Sequence, residues 1–160
     1  MSAFSKVNAM KNLFKSILFG FCVLAFGTAF AGDKGTREEA VALVKKAAAY
    51  LQANGKDKAF AEFSNPKGQF VDRDMYVYAA DMNGIALAHG ANAKLIGKSV
   101  MELKDADGKP FIKELYEVAN TKGKGWVDYK WPNPVTKVIE PKTTYVEKVG
   151  DVVIACGVYK

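Results

Sequence analysis

The last third of the chain constrains its fold most. Residues 125–134 (Gly-Trp-Val-Asp-Tyr-Lys-Trp-Pro-Asn-Pro), 141–146 (Pro-Lys-Thr-Thr-Tyr-Val) and 151–159 (Asp-Val-Val-Ile-Ala-Cys-Gly-Val-Tyr) are β-patterned runs. The last two meet at a tight Val149-Gly150 turn, so the three form an antiparallel meander. The first run carries Trp126, Tyr129 and Trp131, and Lys142 opens the second. Rigid rings on a sheet with a lysine among them suit capture of a small anionic or polar molecule better than bond-breaking chemistry.

At the other end, Lys6, Lys11 and Lys15 precede an apolar run from Ile17 to Phe26, and Ala29-Phe30-Ala31 supplies a small-x-small site before Gly32. No acidic residue occurs before Asp33. The layout predicts a signal peptide over residues 1–31, cleaved after Ala31, and a periplasmic mature protein. Met10 is an alternative start. An uncleaved anchor is the competing reading, but the run is shorter than the roughly 20 residues a spanning helix needs. Phe21, where a lipoprotein has a small residue, precedes Cys22.

Without residues 1–31, 20 basic residues face 17 acidic ones, a net charge of +3. The lysines are scattered rather than clustered with aromatics, so no nucleic-acid partner is expected. Cys156 stands alone after Cys22 leaves, which excludes an intramolecular disulfide, and its apolar run predicts a buried role. Residues 32–160 make one ordinary domain resting on its hydrophobic core, with no membrane span after the signal.

Within that domain, Thr36-Arg-Glu-Glu39 reads as a capping box for a helix to about Ala53, with Ala40, Val44, Ala47, Ala48 and Leu51 on one stripe. A shorter helix follows from Asp57 to Phe63. Residues 75–80 and 85–89 flank Asp81-Met-Asn-Gly84, a strong hairpin signal that puts Tyr76 and Tyr78 on one face and Met75 and Val77 on the other. A short helical turn is expected near Ser99 to Leu103, then a helix behind Pro110 carrying Phe111, Leu115, Val118 and Ala119. Strands over about 125–131, 137–148 and 151–159 complete an α+β fold with one five-stranded antiparallel sheet.

No catalytic constellation emerges. His89 is the only histidine; alone it cannot build the usual zinc site, and no base-oriented nucleophile accompanies it. It could donate to a ligand carboxylate or serve as a hydrogen-bonded structural residue. Asp105 and Asp107 lack calcium-loop spacing and read as a turn. Neither metal nor cofactor is expected. Strict alternation separates Lys142 from Tyr145, so Lys142 is placed at the strand mouth, where Pro141 relaxes the pattern. A lysine there is costly to bury without an anion, which points to a carboxylate ligand; a solvated strand-edge lysine is the alternative.

Taken in order, the Asp81-x-Asn-Gly hairpin ending at His89, Gly97-Lys98, the Asp107-Gly-Lys109 turn and the three closing motifs resemble the single Cache domain of the second type. The resemblance covers nearly all of residues 32–160. It implies a PAS-like sheet with a long N-terminal helix, an extracytoplasmic sensor of small molecules, often carboxylates, and a pocket involving Lys142, Tyr145, Tyr129, Trp131, Trp126, Tyr78, Tyr76 and His89. Receptors of this kind continue into a signalling module, whereas this sequence stops at Lys160. The expectation is therefore a free, non-enzymatic periplasmic binding domain for a small organic anion, either passing its occupancy to a receptor or sensor-protein partner or merely sequestering the ligand. The alternative is a protein-interaction module acting on a receptor ectodomain, or a homodimer paired through the Ala40-Val-Ala-Leu-Val44 face.

Overall fold

The computed structural model describes residues 34–160; the expected signal segment and its cleavage point lie outside the described residues. The elements are α1 (Arg37–Asn54), α2 (Lys56–Phe63), β1 (Val71–Asp72), β2 (Met75–Asp81), β3 (Ala86–His89), α3 (Phe111–Lys122), β4 (Lys124–Pro132), β5 (Ile139–Val149) and β6 (Val152–Tyr159). The sheet is antiparallel in the order β1-β2-β6-β5-β4, with β3 also paired to β2. The architecture is the anticipated α+β fold. Its strand count is six rather than five, because the two residues of β1 fold back on the start of β2.

The capping box forms as the sequence dictates. Thr36 accepts from the Glu39 amide at 3.2 Å, and the Glu39 carboxylate accepts from the Thr36 amide at 2.8 Å. Ala40, Val44, Ala47 and Leu51 are buried along one stripe. Their small size lets α1 lie close across β5 and β6, over Val77, Ala79, Ile154, Cys156 and Val158. Ala40 and Val44 are thereby spent on the sheet and fully buried, while Ala42 between them stays exposed.

The opposite face of the sheet carries a second core. There α3 sets Phe111, Ile112, Leu115 and Ala119 against Val127, Val146, Val153 and Ala155. The hairpin turn before β3 forms around Asp81, whose Oδ1 accepts from the Asn83 and Ile85 amides, both at 2.9 Å. No helix forms over 99–103. Backbone groups there are already committed to the sheet edge: Ala86 donates to the Lys98 carbonyl, Val100 donates to the Gly84 carbonyl, and Ser99 bridges Ile85. One 3-10 turn at Ala93–Leu95, capped by the Asn92 side chain, stands in its place.

Candidate functional site

A hollow opens on the α3 side of the sheet, and the strand registers explain it. Tyr129, Lys142 and Tyr159 form one row across β4, β5 and β6. Gly157, paired with Thr144, and Ala155, paired with Tyr78, form the floor between the outer side chains. Two small residues in a central strand, walled by lysine, threonine and tyrosines, leave a depression. Leu95, Val100 and Leu103 from the loop and Phe111, Ile112 and Leu115 from α3 roof it. About 40 Å³ is free for the centres of water-sized groups, which suits a molecule of a few heavy atoms.

The lysine dominates the chemistry. Lys142 is only 2% exposed. Its Nζ donates to the Tyr76 hydroxyl at 2.8 Å and to the Tyr159 hydroxyl at 3.2 Å. It also lies 4.1 Å from the centre of the Tyr76 ring and 4.5 Å from that of Tyr159. Tyr159 in turn donates to the Pro132 carbonyl at 2.7 Å. No carboxylate among the described residues is within ion-pair distance of Nζ. Burial therefore pulls the Lys142 ammonium down to about 7. The solvated-edge alternative is overturned, and so is the placement at a loosened strand mouth: β5 keeps strict alternation through Pro141.

His89 stacks on Tyr76 with centroids 4.8 Å apart and planes at 25°. Its Nδ1 accepts from the Ala91 and Asn92 amides at 3.2 and 3.0 Å. That assigns the ring proton to Nε2, leaving a neutral donor. Burial first, and the Lys142 charge second, push this imidazole down to about 4. Tyr129 shares a hydrogen bond with Thr144 at 2.8 Å and stacks on Phe111 at 4.1 Å, while Trp131 closes the wall against Phe111 at 5.0 Å.

Of the residues singled out in the sequence, Tyr76, Tyr78, His89, Tyr129, Trp131 and Lys142 line this one cavity. Trp126 and Tyr145 do not. Alternation sends both to the α1 side, where Arg37 covers the Trp126 ring at 4.1 Å and the Tyr145 hydroxyl donates to Glu147 at 2.8 Å. Tyr159, Thr144 and Gly157 were missed. A signal for Tyr159 existed: pairing Val149 with Val152 across the tight turn and counting outward brings Lys142 opposite Tyr159.

A small roofed hollow on one face of an antiparallel sheet, with a long helix on the other, is the plan of a PAS-like ligand sensor. The family model Single Cache domain 2 matches residues 24–160, and the chain belongs to that family. It is 31% identical over 90 residues to the methyl-accepting chemotaxis protein McpP of Pseudomonas putida, a match that spans 55% of this chain and 16% of that receptor's length. Among solved structures it resembles a Cache chemosensory domain studied for carboxylic acid recognition, with a TM-score of 0.65, 26% identity and coverage of 76% of this chain and 91% of that one. A methyl-accepting chemotaxis protein from Vibrio parahaemolyticus shares the fold, with a TM-score of 0.66, 24% identity and coverage of 76% and 86%. Among the described residues no helix is long and apolar enough to cross a membrane.

Proposed function

We propose that this sensor domain is a non-enzymatic receptor for a short organic carboxylate, which Lys142 holds as its counter-ion. The observation that carries the reading is a buried lysine facing a small cavity with two phenol oxygens and no carboxylate beside it. An ammonium in that position is stabilised by an anion from outside the chain. Nε2 of His89 and the Tyr76 hydroxyl are the next donors available to the ligand's oxygens. The apolar roof takes a short hydrocarbon end, and the cavity's size disfavours long chains. Likeness to a Cache domain that recognises carboxylic acid supports the same class. We further assign residues 1–31 as the export signal and 32–160 as the sensing domain.

Thermal-shift measurements on the purified protein against monocarboxylates, dicarboxylates and amino acids test the reading. Binding to the folded state raises the melting temperature by mass action. Short monocarboxylates are expected to raise it most. A folded protein that shifts with none of these compounds refutes the assignment.

A further inference from the structure

The Lys142 amine sits in an enclosure that offers it hydrogen-bond acceptors but, among the described residues, no carboxylate within ion-pair distance. We propose that this site takes up a proton together with its carboxylate, so that the domain reports ambient acidity as well as anion concentration. The inference rests on the carboxylate reading of the cavity and adds a second input to it.

The surrounding groups leave Lys142 as the side chain that changes charge near neutrality. From β2 and β6, Tyr76 and Tyr159 are held neutral because burial raises both phenols. Tyr129 on β4 is raised for the same reason, and the Cys156 thiol on β6 is pushed up to about 12 by burial. On β3, His89 stays neutral above about 4, its Nδ1 occupied by backbone amides. Asp74, in the turn before β2, binds the Gly35 amide through Oδ1 at 2.6 Å. It favours the lysine cation but forms no ion pair with it. The side chains that α3 contributes to the cavity are apolar.

The proton balance follows. Above neutrality the empty site holds a neutral amine, since burial has brought Lys142 to about 7. When a carboxylate enters, a buffer acid or hydronium gives its proton to the Nζ lone pair. An N–H bond forms, the donor leaves as its conjugate base, and ammonium and carboxylate pair in the cavity. Below neutrality the ammonium already exists and no proton is consumed. By linkage, affinity is level between the ligand's own carboxyl pKa and neutrality and declines as pH rises through the empty-site value.

Titration calorimetry of the full chain with acetate, in buffers of different ionisation enthalpy, counts the protons. Uptake of about one proton per acetate is expected near pH 8.5 and about none near pH 6, with affinity falling roughly tenfold from pH 6 to 8. Acetate binding that persists at both values without proton uptake, yet is lost in Lys142→Met, overturns the coupling and leaves the carboxylate site standing. Binding indifferent to Lys142→Met overturns the site itself. An NMR titration of the Lys142 side-chain signal, assigned by its loss in Lys142→Met, decides the matter without any ligand. A midpoint near neutrality upholds the proposal, and an ordinary lysine midpoint refutes it.

Discussion

The side chain of Lys142 crosses the neighbouring strand directly over Gly157. A Cβ built on that glycine would lie 2.3 Å from Lys142 Cε and 2.3 Å from Thr144 Oγ1. Gly157 has no positive φ, so the glycine is needed for space and not for backbone conformation. Gly157→Ala is therefore expected to dislodge the Nζ from between Tyr76 and Tyr159 while the strand survives. Calorimetry with the best carboxylate should show at least a tenfold loss of affinity, about 1.4 kcal/mol, with an unchanged far-ultraviolet circular dichroism spectrum. Wild-type affinity in this variant would show that the lysine's position is irrelevant.

Lys142→Met removes the cation and keeps the stem's volume. Loss of a largely desolvated charge pair is expected to cost about 2–5 kcal/mol of carboxylate binding. Folding is expected to hold or improve, because the ligand-free protein no longer has to desolvate this amine, either as a buried ammonium or by giving up its proton. Tyr76→Phe deletes one acceptor for Nζ and should cost less, about 0.5–1.5 kcal/mol. Tyr145→Phe serves as the control, since its hydroxyl bonds Glu147 on the other face, and its affinity should match wild type. A loss in Tyr145→Phe equal to that in Lys142→Met would contradict the two-faced geometry.

Local patterns made much of this legible. Alternation in residues 75–80 put Tyr76 and Tyr78 on one face, which is the cavity face in the structure, and the capping box fixed the start of α1. The same rule, applied to β5 without an exception for Pro141, would have put Lys142 and Tyr145 on opposite faces. Proline's fixed φ is compatible with an extended strand, so it costs a hydrogen-bond donor and leaves the parity intact. The hollow itself was less readable. It exists because Ala155 and Gly157 are small and sit between larger side chains of β2 and β5, a juxtaposition created by pairing between distant strands. The segment from Ser99 to Leu103 was misread because its first backbone groups pair with Gly84 and Ile85 beside β3, a tertiary arrangement that outweighs local propensity.

His89 contributes to the fold as well as to the cavity. Its Nδ1 serves two amides of the loop that leads to the roof. His89→Phe preserves a ring against Tyr76 but leaves both amides without that acceptor, and is expected to cost about 1–3 kcal/mol in urea unfolding. The wild-type imidazole is depressed to about 4, against an ordinary 6.5. The unfolded chain therefore binds more protons between those values, and stability rises as pH climbs from about 4 to 6.5. His89→Phe should lose that part of the slope. An identical pH dependence in the two proteins would place the titrating group elsewhere.

Lys142 makes the converse prediction on the alkaline side. Its folded-state value of about 7 lies below the ordinary 10.5. Between them the unfolded chain is protonated at this lysine and the folded chain is not. Stability of the ligand-free protein is therefore expected to rise with pH from about 7, by at most about 1.4 kcal/mol per unit, until the unfolded lysine also deprotonates. The Cys156 thiol, pushed up from about 9 to about 12, opposes this rise from about 9, and the raised buried phenols do so above about 10, where unfolded tyrosines begin to ionise. Urea melts from neutral to mildly alkaline pH should show the rise in wild type and a flat response in Lys142→Met. A saturating carboxylate should also flatten the wild-type rise, because pairing restores the ammonium and affinity then weakens with pH. Parallel curves for wild type and Lys142→Met would show that this amine stays charged when buried.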